Sequence, residues 1–272
     1  MRTAMGYRPW PATGALLGGA LLVLALLPLD PTTNDLSQRF AGPSVEHLLG
    51  TDQLGRDLLA RLAVGARTSV GFTLVALALC ALIGTVLGTL AGWAGRTVAQ
   101  VFQRTIDVLV AVPAVLVGLV VVAASGGAPG AGSLLVAVVV AGWTPFARLT
   151  HQLVVRERGR AYVEGAVAVG AGPGRIAFRH VLPNLTRPLL SHLCLRFANL
   201  LLTVAGLSFL GLGPQPPTPE WGAMLADGRQ FLFSAPQLVL LPAAAVVGTA
   251  LMVTALGRAL ERRWVTGPSG QY

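Results

Sequence analysis

The sequence predicts an all-α, polytopic membrane protein with six transmembrane helices, and its composition is the first reason. Hydrophobic residues make up 54% of the 272 residues, charged residues make up only 11%, and the mean hydropathy is +0.68. Soluble domains usually carry roughly a quarter charged residues. The second reason is a series of apolar runs, each close to the ~20 residues that cross ~30 Å of hydrocarbon. The six runs occupy 12–29, 70–93, 106–124, 132–149, 189–212 and 237–256.

The first apolar run follows a short segment that contains Arg2 and Arg8. A cleaved secretory signal peptide has the same layout, but it ends in small residues at its cleavage site. Here the run ends in Pro-Leu-Asp-Pro at 28–31, which is a poor cleavage site. We therefore predict an uncleaved first transmembrane helix.

The polar segment between the first two runs, 30–67, carries mixed charge. Leucines at 54, 58, 59 and 62 recur at helical spacing. This spacing predicts a short amphipathic helix that packs on the bilayer surface or on the bundle. The pattern favours a structural brace over a substrate site.

The third and fourth predicted helices contain Pro113 and Pro145, and Asp107 lies near the start of the third. Proline can kink a transmembrane helix and turn backbone carbonyl groups towards a pathway. An acid within a span is a candidate functional residue, but Arg104 lies three residues earlier and can pair with Asp107. The structural pairing is favoured, and Asp107 and Pro113 are kept as candidates for the translocation path or gate.

A strongly basic segment, 156–184, separates the fourth and fifth runs. It carries five arginines against two glutamates. Each charge would cost roughly 2.5–3.5 kcal/mol at the centre of a membrane span. The segment is therefore predicted to be a loop that faces water.

Two short helices are predicted within this loop. Good helix formers at 161–169 are followed by a flexible breaker, Gly-Ala-Gly-Pro-Gly, at 170–174. A second helix is predicted from Pro173 or Arg175 to about Leu182, with Pro183 just past its end. The expected result is a helix-turn-helix hairpin beneath the membrane bundle.

The fifth run ends in Gly-Leu-Ser-Phe-Leu-Gly-Leu-Gly at 206–213, and prolines follow at 214, 216, 217 and 219. Small residues permit close approach of helices. The prolines predict a stiff extracytoplasmic loop with Trp221 at interfacial depth. Such a loop can receive a partner protein or line a gate, and Ser208 and Phe209 are candidates for this role. A rigid loop anchored by tryptophan is an equally good interpretation.

The placement of arginine predicts the orientation in the membrane. The segments on the side of the N-terminus contain fourteen arginines against three acids, whereas the segments on the other side contain five against seven. Both termini and the central loop are therefore expected in the cytoplasm.

Several classes of site are excluded by residue usage. All 20 basic residues other than histidine are arginine, and a P-loop requires a lysine. Cys80 and Cys194 each fall within an apolar run, which argues against a disulfide scaffold or a zinc site. The four histidines lack the H-x-x-x-H spacing of a metal site. No catalytic or metal-ligating residues are predicted.

The central loop contains Glu164-Gly165-Ala166, then Gly170, then Leu182-Pro183. With this spacing it resembles the "EAA" loop that defines the permease subunits of bacterial binding-protein-dependent ABC importers. Gly165 stands where the motif usually has alanine, which weakens the first helix by about 0.5–1 kcal/mol. The segments GTDQLGRD (50–57), FRHVLPN (178–184) and LSFLGLGPQPPTPEWGAMLADGR (207–229) resemble the dipeptide, oligopeptide and nickel branch of the family.

This resemblance implies a permease fold like that of type I ABC importers, with the EAA loop as the contact to an ATPase. It assigns to ATPase coupling the residues Tyr162, Glu164, Gly165, Ala166, Gly170, Arg179, Leu182 and Pro183. It also implies a second permease subunit in a heterodimer, two ATP-binding subunits and an extracytoplasmic solute-binding protein. The chain itself is expected to bind no cofactor, since ATP and Mg²⁺ would be held by partner subunits.

The resemblance divides the chain into three parts: an N-terminal tail with the first helix and an outer segment (1–67), the permease domain (68–258) and a cytoplasmic tail (259–272). The implied function is import of dipeptides or oligopeptides across the bacterial cytoplasmic membrane, with nickel or a metal chelate as an alternative. An ion-driven secondary carrier would show internal repeats and acids near the midplane. A membrane-embedded enzyme would need convergent catalytic groups. The sequence shows neither pattern clearly.

Overall fold

The computed structural model describes residues 29–265, so the predicted first transmembrane helix at 12–29 lies almost wholly outside the described residues. The described chain is mainly helical, as predicted. Its helices are α1 (Leu58–Trp93), α2 (Arg96–Ala111), α3 (Ala114–Ala124), α4 (Ala131–Gly142), α5 (Thr144–Arg158), α6 (Ala161–Ala168), α7 (Pro173–Ile176), α8 (Leu182–Phe209), α9 (Trp221–Gly228) and α10 (Gln237–Val265). Short 3₁₀ turns occur at Leu36–Gln38 and Arg229–Phe231, and a π-helical turn at Ala177–Val181 joins α7 to α8.

Four helical stretches are long and apolar enough to cross a membrane. They are α1, the α4–α5 stretch Ala131–Arg158, the α7–α8 stretch Pro173–Phe209, and Gln237–Ala259 within α10. The pair α2 and α3 passes the same test together but is bent by 89°. These stretches correspond one for one to the last five predicted runs. Helix α1 continues across the domain boundary predicted at 67/68, and α10 continues across the one predicted at 258/259.

The predicted short amphipathic helix is not a separate element, because three of its leucines, at 58, 59 and 62, lie in the first turns of α1 and Leu54 precedes them. The Asp57 side chain accepts a hydrogen bond from the Ala60 amide at 2.7 Å, which caps α1 at its N-terminus. Leu58 and Leu62 are only 1% and 2% exposed. These two leucines pack in the bundle, which is one of the two placements predicted, whereas Leu54 is 37% exposed.

A break replaces the single kinked helix predicted at 106–124. Helix α2 starts at Arg96 and ends at Ala111, and Val112 has extended backbone angles (φ −84°, ψ 122°). Proline disfavours helical angles in the residue before it and supplies no amide donor. Pro113 thus ends one helix and starts the next, and α2 leaves the direction of the span.

Helices α1 and α5 approach closely along a stripe of glycines that the sequence analysis did not single out. A Cβ atom added to Gly84 would come within 2.5 Å of Phe146 Cβ, and one added to Gly88 within 2.5 Å of the Ala147 carbonyl oxygen. Gly92 continues the stripe at the same four-residue spacing. Small residues at this spacing let backbones pack in direct contact.

The outer connection after α8 folds back into the bundle and carries Trp221 into its core. Its side chain is fully buried, and its Nε1 donates a hydrogen bond to the Leu62 carbonyl oxygen at 3.0 Å. The buried Glu220 carboxylate accepts hydrogen bonds from Ser69 Oγ at 3.0 Å and from the Ala223 amide at 2.9 Å. Because these bonds satisfy an otherwise costly polar group, α9 is fixed against α1.

The segment GTDQLGRD folds around the buried side chain of Asp52. The Asp52 carboxylate accepts hydrogen bonds from the amide of Arg56 at 3.0 Å and from its Nε at 2.7 Å, and Arg61 Nε lies 3.4 Å away. Asp227 of α9 lies beside these arginines, and its burial raises the pKa of its carboxyl group against their opposing effect. The cluster joins the outer segment to α1 and α9.

Replacing Gly88 by leucine should destabilise the bundle, because the new side chain would overlap the backbone of α5. Overpacking of this kind typically lowers the free energy of unfolding by about 1–3 kcal/mol, and backbone contact places Gly88→Leu at the upper end. Thermal unfolding of the purified protein in detergent measures the loss. Gly71→Leu on the same helix is the control, since a Cβ at Gly71 meets nothing within 4 Å. Equal melting temperatures for the two variants would contradict this packing.

Candidate functional site

The basic segment after α5 forms a hairpin whose first arm is α6. Gly170 makes the turn with a φ of +83°, a backbone conformation that favours glycine. The second arm does not end at Leu182 as predicted. It passes through the π-helical turn Ala177–Val181 directly into α8, so the hairpin is continuous with a membrane span.

Pro183 lies in the first turn of α8 instead of after a helix end. Just before it, the Leu182 amide bonds to the Ala177 carbonyl oxygen, five residues back. The wider turn makes room for a ring that would otherwise clash with a carbonyl group one turn earlier. The prediction failed because it treated proline only as a terminator.

An apolar cluster holds the hairpin to the bundle. Val163 of α6 and Ile176 of α7 are 4% and 2% exposed, and both pack with the fully buried Val154 of α5. Trp93 at the end of α1 packs against the same cluster. The hairpin is thus fixed to the ends of three spans.

A polar network reinforces this attachment. Tyr162 Oη donates a hydrogen bond to Glu157 Oε2 at 2.6 Å, and Asn184 Nδ2 donates to Tyr162 Oη at 3.2 Å. Arg160 Nε lies 3.0 Å from the other Glu157 oxygen. Burial raises the pKa of the Tyr162 hydroxyl, and its hydrogen bond to Glu157 acts in the same direction. Tyr162 thus joins α5, α6 and α8.

Sequence reasoning missed three members of this attachment: Glu157, Asn184 and Arg158. The sequence analysis counted Glu157 and Arg158 only as charges of the basic segment, although the Glu157 side chain is buried, with 8% of the residue exposed. Arg158 Nη1 donates to the Gly92 carbonyl oxygen at 2.6 Å, and its guanidinium lies 4.6 Å from the centroid of the Trp93 ring. The sequence pattern that could have indicated the contact between Glu157 and Tyr162 is a glutamate five residues before a tyrosine, at a junction between two helices.

Four of the predicted coupling residues line one groove on the surface of the hairpin. The groove has a volume of about 470 Å³. It is lined by Tyr162, Gly165, Ala166, Val169, Ala171, Arg175, Arg179 and His180. The groove is partly basic and opens to solvent, so it can receive an apolar or acidic side chain.

The remaining predicted coupling residues lie around this groove. Glu164 is exposed and forms no ion pair with the residues that the structure describes. Val169 and Phe178 add exposed apolar surface, at 85% and 76% exposure. Leu182 packs against the apolar cluster, and Pro183 is exposed beside it. The hairpin therefore presents a mixed apolar and charged surface on a rigid base.

The predicted path or gate residues do not come together. Asp107 lines a cavity of about 1200 Å³ between α2 and the ends of α1 and α5. Its ion-pair partner is Arg148 of α5, at 2.6 Å, and not the predicted Arg104, because α2 crosses α5 at this point. Pro113 marks the 89° bend.

Ser208 and Phe209 lie at the other end of the bundle. Ser208 is 2% exposed and packs against Gly213 and Gly222, which permit this close contact. Phe209 is the last residue of α8, and the Arg229 guanidinium lies 5.9 Å from its ring centroid. A gate role for these residues stays a prediction.

Comparison with known proteins places this architecture in a family. The family model described as the binding-protein-dependent transport system inner membrane component matches residues 84–266. A dipeptide transport system permease protein, DppC, from Alkalihalophilus pseudofirmus is 41% identical over 223 residues, which are 81% of this chain and 70% of that protein. A di/tripeptide permease protein from Pseudomonas aeruginosa is 36% identical over 262 residues, covering 92% and 86% of the two chains.

A glutathione transport system permease protein, GsiD, from Pectobacterium atrosepticum is 37% identical over 237 residues, covering 87% of this chain and 78% of that protein. Among solved structures, a chain of the MetNI methionine ABC transporter in an inward-facing conformation matches with a TM-score of 0.58 and 16% identity. This match covers 74% of this chain and 96% of the other, and confirms the predicted type I importer fold. The chain belongs to the inner membrane components of binding-protein-dependent transport systems, as a multi-pass permease subunit of an ABC importer.

Proposed function

We propose that this chain is a permease subunit that carries short peptides into the cell, driven by ATP hydrolysis in partner subunits. The three relatives named above are permeases for dipeptides, for di- and tripeptides and for glutathione, which is itself a peptide. Their names favour peptides over the nickel alternative. The observation that carries the coupling mechanism is the exposed hairpin on a rigid base.

In the proposed mechanism, α6 lies in a groove of an ATPase subunit, as an amphipathic helix lies in a partner's groove. ATP and Mg²⁺ would bind to the ATPase pair. Closure of that pair would displace the hairpin as a rigid body. Because α6 follows α5 and the second arm continues into α8, the displacement would tilt both spans and change the side to which the pathway opens.

The proposed complex contains this subunit, a different second permease subunit, two ATP-binding subunits and an extracytoplasmic binding protein. Both termini and the hairpin would lie in the cytoplasm, as the arginine distribution indicates. The outer segment at 29–57 and the connection at 210–236 would then face the binding protein. Asp107 and Pro113 would lie near the cytoplasmic side of the bent pair.

Gly165→Leu should uncouple the complex without unfolding this subunit. A Cβ at Gly165 meets nothing within 4 Å, so the larger side chain fits the free subunit and obstructs only a partner. We expect ATPase binding to weaken by about tenfold or more, the equivalent of about 1.4 kcal/mol, with a matching loss of peptide uptake. Copurification of the ATPase and uptake by proteoliposomes with all subunits measure both effects.

The matched control for this variant is Gly132→Leu at the opposite end of the same span, Ala131–Arg158. Gly132 is exposed and its Cβ would also meet nothing within 4 Å. Wild-type uptake and wild-type ATPase stimulation by loaded binding protein in Gly165→Leu would contradict the coupling role of α6.

Thiol labelling tests the orientation. Glu164→Cys should react with a membrane-impermeant maleimide only after the cells are permeabilised, because the hairpin would face the cytoplasm. Val45→Cys, at a position that is 97% exposed in the outer segment, should react in intact cells and is the paired control. Labelling of Glu164→Cys from outside intact cells would show that the orientation is inverted.

A further inference from the structure

Arg196 is a cation within a membrane span and has no hydrogen-bond or ion-pair partner among the described residues. It lies on α8, seven residues after the start of the predicted fifth apolar run. Its Nε–H group is buried and donates no hydrogen bond to the described chain, and no described carboxylate lies within ion-pairing distance. Charged side chains within spans are strongly disfavoured against lipid and normally face a cavity or a partner. The position therefore calls for a ligand or a counter-charge.

Arg196 is part of a polar edge of α8, which consists of His192, Arg196, Asn199 and Thr203. These residues are spaced by four, three and four positions, so they follow one side of the helix. His192 Nε2 is also buried without a partner within the described chain. Asn199 is exposed. A row of polar groups along a span fits a water-filled path better than lipid.

A cavity leads to this edge from the hairpin end of the bundle. It has a volume of about 490 Å³ and lies between α5, the first half of α8 and the end of α10. Its lining includes Arg187, Ser191, His192 and Glu261. His192 belongs to both the cavity and the polar edge, and Arg196 follows one turn later, about 6 Å along the helix axis. Space open to water thus comes within one helical turn of the unpaired guanidinium.

We propose that Arg196 binds the carboxylate of the transported peptide during its passage along the polar edge of α8. A guanidinium presents paired N–H groups that match the two oxygens of a carboxylate. Every peptide with a free C-terminus carries this group, whatever its side chains, so such a contact suits a transporter for short peptides. The inference rests on the proposed function and names the part of the substrate that this span recognises.

Uptake by the complete complex in proteoliposomes tests the contact. With saturating loaded binding protein, Arg196→Ala should reduce dipeptide uptake by about tenfold or more, as expected for loss of a charged hydrogen bond. Arg196→Lys should keep more uptake than Arg196→Ala, because it keeps the charge. The control is Leu82→Ala on α1, at a position that is 62% exposed. Dipeptide uptake at the wild-type rate by Arg196→Ala would overturn the proposal.

Thiol labelling of Asn199→Cys keeps the proposal testable if Arg196→Ala does not assemble. In a background with Cys80 and Cys194 replaced by serine, a water-soluble thiol reagent should modify Asn199→Cys in the assembled complex, and added dipeptide should slow the reaction. Leu82→Cys should not react. No labelling would overturn the proposal and assign this edge of α8 to a sealed contact with another subunit. Labelling that dipeptide does not slow would also overturn it, because the path would be open to water but would not hold the peptide beside Arg196. If the wild-type complex imports no peptide, the proposed function fails, whereas water-accessible labelling of Asn199→Cys would still support a path along this edge.

Discussion

Hydrocarbon tolerates neither unpaired backbone groups nor unpaired charges, and this constraint shapes the whole described chain. It produces long helices, confines most charged residues to the two ends, and makes any exception informative. At the outer end, the charged groups of Asp52, Arg56 and Arg61 pair with one another. At the inner end, Glu157 is satisfied by Tyr162 and Arg160. Arg196 is the exception within a span.

The same constraint explains why the hairpin can transmit force. A polar loop that only emerged from the bilayer would move independently of the helices, but this one is held by apolar packing and by buried hydrogen bonds. Tyr162 and Asn184 connect its arms to each other, and Arg158 connects α5 to the last turn of α1. A load on α6 therefore reaches the spans through side-chain contacts as well as through the chain.

The sequence predicted the features that depend on composition and periodicity: the last five of the six spans, the basic loop and the turn at Gly170. It did not predict features that depend on which helices become neighbours. The sequence analysis predicted that Asp107 pairs with Arg104, three residues away on the same helix. In the structure Asp107 pairs with Arg148 of α5. Tryptophan is common at membrane interfaces, but its presence at 221 does not indicate that the side chain is buried and bonded to the Leu62 carbonyl oxygen. The use of proline as a helix terminator also predicted a helix end before Pro183. The π-helical turn that accommodates this proline within a continuous helix has no recognisable sequence pattern.

The distribution of packing indicates which parts can move relative to each other. Helix α1 contacts α5 through the glycine stripe, α9 through Trp221 and the outer segment through Asp52, so it links both ends of the bundle. Helix α2, by contrast, has a single buried residue, Ile106, and meets α3 at the 89° bend beside Pro113. Close-packed interfaces switch between discrete arrangements and do not deform gradually. We therefore expect α1, α5 and α8 to move as one body when the hairpin is displaced, with the bent pair α2–α3 accommodating the change.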